Sequence, residues 1–238
     1  MDPSAENDLV YGREALPGSW ERAVLLVDKP AGWTSFDVIR RLRRVLPVRK
    51  IGHAGTLDPM ATGLLICLVG RATKLMEAFM GMPKEYTGTL RLGEVTPSYD
   101  ADTEVSERRD WRHLTDADLE AARLRFVGDI EQRPPIYSAV KVEGERLYKK
   151  ARRGETMETP PRRVSVTAFE LTGRDGADVS FLVRCSKGTY VRSLAHDFGA
   201  VLGVGAHLVA LRRTAIGPYR VDRAWTPGGL AEALAPPS

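Results

Sequence analysis

Residues 52–70 read GHAGTLDPMATGLLICLVG, and the character of this stretch changes halfway along. Its first half is rich in Gly, Thr and Pro, so residues 51–63 are predicted to form a loop. Its second half, LLICLV at 64–69, is a continuous apolar run, which is typical of a strand buried on both faces. Because loops that enter a rigid core are common places for functional side chains, the polar residues of this loop are candidates for chemistry.

The residues of the loop alone leave three interpretations open. A Gly-rich loop can bind phosphate, but this one lacks the Lys-Ser/Thr of a P-loop and the spacing of a dinucleotide fingerprint. Asp-Pro is common in turns, so Asp58 can simply shape one. Asp58 can also be a catalytic carboxylate on a loop held between ordered elements. His53 is likewise either structural or functional.

The segments around this loop mix strands and helices without a regular βαβ rhythm. Residues 23–30 form a short apolar strand, and helical spacing predicts a helix capped by Ser35 that ends at Pro47. Residues 72–80 predict a helix, and the alternation in 86–94 predicts a half-buried strand. We therefore expect an α+β fold with a largely antiparallel sheet.

The second half of the chain continues this pattern. Residues 95–113 are polar and mostly acidic, and we interpret them as a surface insertion. Thr115 and Asp118 resemble a capping box that begins a helix through about Phe126. Alternation or helical spacing predicts two further strands and an amphipathic helix, at 162–171, 179–185 and 191–202.

The composition excludes several classes of protein. The 238 residues are 43% hydrophobic and 28% charged, which excludes a disordered chain, a collagen-like repeat and a coiled coil. The net charge is +4, so a nucleic-acid binder must cluster its basic residues. Basic residues do cluster in 40–50 and in 134–154. Each cluster can be a solvated face or a phosphate-binding surface.

Other features limit cofactors and location. Cys67 and Cys185 are far apart and form no disulfide or zinc pattern, which favours a reducing cytoplasm. The four histidines have no zinc-ligand spacing, so we expect no metal. Residues 1–22 lack a signal pattern and are expected to be a mobile tail. No apolar run approaches the roughly 20 residues that span a bilayer, so we expect no membrane association.

A second unusual stretch is KGTYVRSLAHDFG at 187–199. It places an aromatic residue and an arginine two positions apart at a predicted strand-to-helix junction. Tyr190 can be a packing residue and Arg192 a surface residue. Alternatively, Arg192 pairs with a buried carboxylate and Tyr190 lines a base pocket. The pattern leaves both interpretations open.

Taken together, the motifs resemble the bacterial TruB family of tRNA pseudouridine synthases, which modify uridine 55 in the TΨC loop. The resemblance covers the chain from about residue 23 to residue 225. Five motifs carry it in the family order: LLVDKPAGWTSFDVIRRLRR (25–44), KIGHAGTLDPMATGLLICLVGRATKL (50–75), KEYTGTLRLGEVTPSYDADTE (84–104), RPPIYSAVKVEGERLYKKARRGE (133–155) and CSKGTYVRSLAHDFGAVLGVGAHLVALRRTAIGPYRV (185–221).

The resemblance implies the pseudouridine synthase catalytic fold, a large mixed, mainly antiparallel sheet flanked by helices, over residues 23–225. It implies an isomerase that breaks the N1 glycosidic bond of uridine, rotates the base and rejoins it through C5. This reaction needs no cofactor and no metal. Asp58 is implied to be the nucleophile, which attacks either C6 of the base or C1′ of the ribose.

The resemblance also assigns roles to other residues. Arg192 matches the arginine that keeps the catalytic aspartate ionised. Tyr86 is implied to pack against the target base, and its hydroxyl is a candidate for helping to remove the C5 proton. Four further residues are implied to lie at the substrate: His53, Tyr190, Leu211 and Lys29.

These substrate residues have different implied tasks. The target base must be flipped out of the RNA loop, and His53 matches a histidine that fills or stacks in the space it leaves. Tyr190 and Leu211 match positions that line the base pocket, and Lys29 matches a lysine near the active site.

The implied partner is the T-arm of tRNA, bound by a monomer without a guide RNA. Most bacterial relatives carry a C-terminal PUA domain, for which the about 13 residues after Trp225 are too few. We therefore expect no complete PUA domain and a short tail at 226–238. Two other functions stay open: an RNA chaperone that folds tRNA, and a guide-RNA-dependent pseudouridylase of the archaeal or eukaryotic kind.

Overall fold

The structure is a computed structural model that describes residues 9–138, 141–142, 145–146 and 159–235. The chain divides into two compact units. The first unit consists of Met1–Tyr86 and Leu211–Ser238, and the second of Thr87–Ala210.

Strands and helices alternate irregularly along the described chain, as expected. The strands are β1 (Val10–Tyr11), β2 (Arg22–Lys29), β3 (Ile51–Ala54), β4 (Thr62–Gly70), β5 (Lys84–Leu92), β6 (Glu94–Val95), β7 (Glu107–Arg108), β8 (Gly128–Gln132), β9 (Lys141–Val142), β10 (Glu145–Arg146), β11 (Arg162–Asp175), β12 (Asp178–Cys185), β13 (Ala206–Ile216) and β14 (Tyr219–Arg220). The α-helices are α1 (Ser35–Val45), α2 (Met76–Gly81), α3 (Asp116–Leu124), α4 (Val191–Val201) and α5 (Pro227–Ala233). Two 3₁₀ helices span Arg71–Leu75 and Val221–Arg223.

The first unit is built around β4, the strand predicted to be buried on both faces. It pairs antiparallel with β2 and β3, and in parallel with β13. Its alternate side chains enter two apolar clusters: Leu65 and Cys67 pack in one, and Leu64 and Ile66 in the other. The prediction of a doubly buried strand is confirmed, because a period of two sends successive side chains into opposite layers.

The second unit contains an antiparallel hairpin of β11 and β12, with β8 on the far side of β11 and β5 beside β12. Its core includes Phe169, Phe181 and Phe198, whose rings meet edge to face. The predicted α+β class, with a mixed but mainly antiparallel sheet flanked by helices, is confirmed.

The helix α1 begins one residue earlier than predicted, because Thr34 is its cap. The Thr34 hydroxyl accepts a hydrogen bond from Asp37 N, and the Asp37 carboxylate accepts one from Thr34 N. This capping box satisfies two backbone donors reciprocally. The prediction that Ser35 caps the helix is therefore wrong. Ser35 is buried and free to bond elsewhere.

Two other predicted boundaries need correction. Residues 51–63 are not all loop, because Ile51–Ala54 forms β3 against β4. The strand was not predicted because two of its four residues are a glycine and a histidine, and neither has a strong strand preference. The predicted helix at 72–80 begins as the 3₁₀ turn Arg71–Leu75 and becomes α-helical only at Met76.

The acidic stretch 95–113 is only partly a surface insertion. Thr96, Ser98 and Asp100 are each at most 2% exposed, so the beginning of the stretch lies in the core. The capping box at Thr115 is confirmed.

The ends of the chain contribute to the first unit. Val10 and Tyr11 pair with β2, and Leu16 and Trp20 pack against the core, so this part of the expected tail is folded. Residues 1–8 lie outside the described residues, as do the side chains of the basic segment 141–153. Among the described residues, no helix is long and apolar enough to cross a membrane.

Candidate functional site

Asp58 lies on the connection between β3 and β4. We call residues 55–61 the Asp58 loop. Ala61 N donates to the Asp58 carbonyl at 3.1 Å, which closes a turn directly after the aspartate. Because β3 and β4 pair in register on both sides of this connection, the loop starts and ends on strands of the core.

Both neighbours of Asp58 are fixed by residues that precede or begin α1. Leu57 N donates to Ser35 Oγ at 2.9 Å, and Ser35 Oγ donates to the Leu57 carbonyl at 3.3 Å. The Pro59 carbonyl accepts from Gly32 N at 2.9 Å and from Lys29 Nζ at 3.2 Å. The backbone on each side of the carboxylate therefore has a defined position.

Lys29 is a completely buried cation beside this loop. Besides Pro59, its Nζ donates to the carbonyls of Pro30 at 2.9 Å and Trp33 at 2.6 Å. Burial lowers the pKa of Lys29 to about 8, and the nearby Asp58 carboxylate acts in the opposite direction. Lys29 is therefore mostly charged at pH 7 and interacts electrostatically with Asp58.

His53 is a neutral, partly buried side chain at neutral pH. Burial lowers its pKa, and the Arg213 charge lowers it further. Its Nδ1 is buried and has no hydrogen-bond partner among the described residues. The ring lines a cavity of about 340 Å³ together with Phe36, Arg43 and Met80. A neutral imidazole beside an apolar wall suits stacking against a base.

Tyr86 on β5 and Leu211 on β13 also belong to the first unit. They are 9% and 8% exposed, so both present little surface to solvent. Five of the seven predicted site residues thus lie in this unit.

Tyr190 and Arg192 lie in the second unit, at the start of α4. Gln132 holds the Tyr190 backbone, because its amide accepts from Tyr190 N at 2.7 Å and donates to the Tyr190 carbonyl at 2.9 Å. The Arg162 guanidinium lies 5.5 Å from the centre of the Tyr190 ring. The predicted junction of strand and helix is therefore present at this motif.

Arg192 is a buried side chain, not the surface residue of the simpler interpretation. It is 5% exposed, and its Nη1 lies 3.2 Å from Oδ2 of Asp100, which is 1% exposed. It also donates to the carbonyls of Ser98 at 3.2 Å and Tyr137 at 3.0 Å. Asp100 in turn accepts from the Ser98 hydroxyl at 2.5 Å and from Asp102 N at 3.0 Å.

Comparison with known proteins identifies the family. The family model described as "TruB family pseudouridylate synthase (N terminal domain)" matches residues 43–191, and that described as "tRNA pseudouridylate synthase B C-terminal domain" matches residues 192–236. The chain belongs to the TruB family. This TruB-family chain is an isomerase that acts on uridine in tRNA and forms pseudouridine.

Individual relatives are similar over most of the TruB-family chain. The tRNA pseudouridine synthase B of Opitutus terrae is 52% identical over 218 residues, which cover 92% of this chain and 88% of that protein. The tRNA pseudouridine synthase B of Thermobifida fusca is 52% identical over 216 residues, covering 87% and 74%. Among solved structures, a chain of a Cbf5-Nop10-Gar1 complex is 31% identical with a TM-score of 0.72, and the match covers 95% of this chain but only 59% of that one.

Sequence reasoning missed Asp100 in this TruB-family chain. We interpreted its acidic segment as solvated, since charge runs are usually exposed. No sequence pattern marked this burial. Thr96, Ser98 and Asp100 are all buried, but they lie in a turn that Tyr99 N closes by donating to the Thr96 carbonyl at 3.2 Å, and not on one face of an extended strand. Among the described residues, no group of His, Cys, Asp and Glu could hold a metal ion.

Proposed function

We propose that this enzyme isomerises uridine 55 in the T-loop of tRNA, with Asp58 as the nucleophile. The observation that carries the proposal is the fixed backbone on both sides of Asp58. Ser35 holds Leu57, while Lys29 and Gly32 hold Pro59. A nucleophile needs such support, because catalytic groups must stay close to their productive geometry.

The charge of Lys29 supports an ionised Asp58. A carboxylate must be deprotonated to attack, and a nearby cation favours the deprotonated form. The buried ammonium of Lys29 is this nearby cation, and the three carbonyls that accept its hydrogen bonds keep it in place. Attack on C6 of the base and attack on C1′ of the ribose both remain compatible with this arrangement. The role of Arg192, keeping Asp58 ionised, stays a prediction from the resemblance.

The target base has to leave its RNA stack before Asp58 can reach it. We propose that His53 occupies the space that the base leaves, for which its neutral ring is suited. Leu211 and Tyr190 are proposed to line the base pocket. Tyr86 is proposed to pack against the base and to assist removal of the C5 proton.

The proposed partner is the T-arm of tRNA, bound by a monomer without a guide RNA and without a cofactor. The basic helix α1 supports binding to a polyanion, because Arg40, Arg41 and Arg44 share one concave surface with Trp33. Arginines neutralise phosphates, and an aromatic ring can stack on an unpaired base. A cytoplasmic location stays a prediction, supported by the free cysteines Cys67 and Cys185.

Tritium release from a T-arm minihelix that carries 5-tritiated uridine at position 55 tests the proposal. Asp58→Asn should fold, bind the minihelix and release no tritium. Asp110→Asn, on an exposed loop, is the matched control and should behave as wild type. Product formation by pure Asp58→Asn enzyme contradicts the proposal. The same variant separates a chaperone role from catalysis, since it keeps RNA binding.

A further inference from the structure

Arg213 on β13 carries a guanidinium group into the core of the first unit. It is 1% exposed and is among the largest fully buried side chains of the described residues. A buried charge is strongly unfavourable unless its donors are bonded. The hydrogen-bond acceptors of Arg213 therefore indicate which part of the fold this residue stabilises.

The two backbone carbonyls that accept from the Arg213 side chain flank the Asp58 loop. Its Nε donates to the Leu64 carbonyl at 2.7 Å, and its Nη2 donates to the Gly55 carbonyl at 3.1 Å. Gly55 is the first residue after β3, while Leu64 is the third residue of β4. One planar side chain thus connects the entry and the exit of the loop.

The backbone of Arg213 contacts the same region. Arg213 pairs in register with Gly63, and a Cβ atom at Gly63 would come within 2.3 Å of the Arg213 carbonyl oxygen. A side chain at Gly63 would force the two strands apart. Because the two backbones approach this closely, the position of Arg213 relative to the start of β4 is fixed.

We infer that Arg213 is a positioning residue, whose guanidinium sets the distance between the two ends of the Asp58 loop and so the place of the Asp58 carboxylate. This inference rests on the proposed function, in which Asp58 is the nucleophile. The charge of Arg213 also reaches the residues around the loop, because it lowers the pKa of both Lys29 and His53.

The fork geometry of arginine is essential to this role. A lysine at the same position keeps the charge, but it is a single point donor and lacks the rigid planar fork that reaches two separate carbonyls. Arg213→Lys therefore removes the bridge with little change in charge. Arg212→Lys is the matched control. Arg212 is the neighbouring, partly exposed arginine, and it pairs with Asp28 at 2.7 Å and donates to the Thr62 hydroxyl at 3.3 Å rather than to the Gly55 and Leu64 carbonyls.

The experiment compares wild type, Arg213→Lys, Arg212→Lys and Asp58→Asn in three measurements: thermal midpoint, minihelix affinity, and the single-turnover rate at saturating RNA. We expect Arg213→Lys to lower the rate by about 100-fold, the loss typical of a catalytic group displaced by about 1 Å. Its RNA affinity should be unchanged, because the interaction is needed only for the chemical step. Arg212→Lys should retain the wild-type rate.

A wild-type rate in Arg213→Lys overturns the inference, and so does an equal loss of rate in Arg212→Lys. If Arg213→Lys does not fold, Gly55→Ala decides. Gly55 has φ +95°, so alanine strains the loop entry, and its Cβ would lie 3.6 Å from Arg213 Nη1, an ordinary contact that leaves the guanidinium in place. A rate loss with RNA binding retained then supports the inference, and an unchanged rate overturns it. Activity in Asp58→Asn instead contradicts the proposed function itself.

Discussion

Ser35 and Leu57, which are 22 residues apart, exchange two hydrogen bonds. The Ser35 hydroxyl accepts from Leu57 N at 2.9 Å and donates to the Leu57 carbonyl at 3.3 Å. A single side chain thereby satisfies both backbone groups of the residue before Asp58. This is possible because Thr34, and not Ser35, caps α1.

Ser35→Ala should lower both stability and turnover. The buried N–H of Leu57 loses its acceptor, which costs about 1–3 kcal/mol. The loop also gains freedom next to Asp58, so the single-turnover rate should fall by about 10- to 100-fold. Urea unfolding and tritium release measure the two effects.

Thr34→Ala is the control for this variant. Loss of the helix cap should cost about 1 kcal/mol. The rate should stay at the wild-type level, because the hydrogen bonds of the Thr34 hydroxyl go to Asp37 on its own helix. Equal rates in Thr34→Ala and Ser35→Ala would show that the Ser35–Leu57 pair has no part in turnover.

Asp100→Ala should destabilise the second unit strongly. It removes the Asp100 carboxylate from a buried ion pair with Arg192, and breaking a buried pair in this way costs about 3–5 kcal/mol. Asp178→Ala breaks the partly exposed pair with Arg91 and should cost at most about 1 kcal/mol. Chemical denaturation compares the two variants, and similar losses would contradict this distinction.

The buried Lys29 should make the protein more stable as the pH rises through the alkaline range. The folded state releases the Lys29 proton near a pKa of about 8, whereas the unfolded chain keeps it until about 10.5. Between these two pKa values the unfolded state binds more protons than the folded state. The free energy of unfolding therefore increases with pH over this range, by up to roughly 3 kcal/mol from Lys29.

Lys29→Met isolates this contribution, because other groups titrate in the same range. The free energy of unfolding is measured for both proteins at pH 7.5 and at about pH 10. The wild type should gain more stability, or lose less, than Lys29→Met over this interval. Identical changes in the two proteins would mean that Lys29 keeps an ordinary pKa.

Arg44 should contribute to RNA affinity through phosphate neutralisation. Arg44→Gln should weaken minihelix binding and reduce the slope of log K against log salt by about 0.7 to 0.9, which corresponds to one lost phosphate contact. Arg112→Gln is the charge-matched control, since Arg112 is exposed and paired with Asp110. If both variants change the slope equally, the effect comes from net charge and not from α1.

Much of the fold follows from local patterns. The doubly buried β4 was predicted from its continuous apolar run, and the strands β5, β11 and β12 were predicted from the alternation of their apolar residues. The pairing of β11 with β12 as a hairpin was not part of that prediction. The short strand β3 was missed, because a four-residue segment with Gly and His becomes a strand only when β4 pairs with it. Local propensity is weak there, and pairing decides the structure.

The sequence by itself determined the chemical inventory: an aspartate on a loop before a buried strand, and a resemblance that assigned it a reaction. Only the tertiary structure decided which groups support that loop. Ser35, Lys29 and Arg213 are distant from Asp58 in the chain, and their importance depends on hydrogen bonds to backbone carbonyls and amides. Every residue has those backbone groups, so no sequence pattern marks which of them will be bonded. The pairing of Arg192 with Asp100 could not be predicted for a related reason. Asp100 belongs to an acidic segment, and only its burial in the folded chain makes it the counter-ion of Arg192.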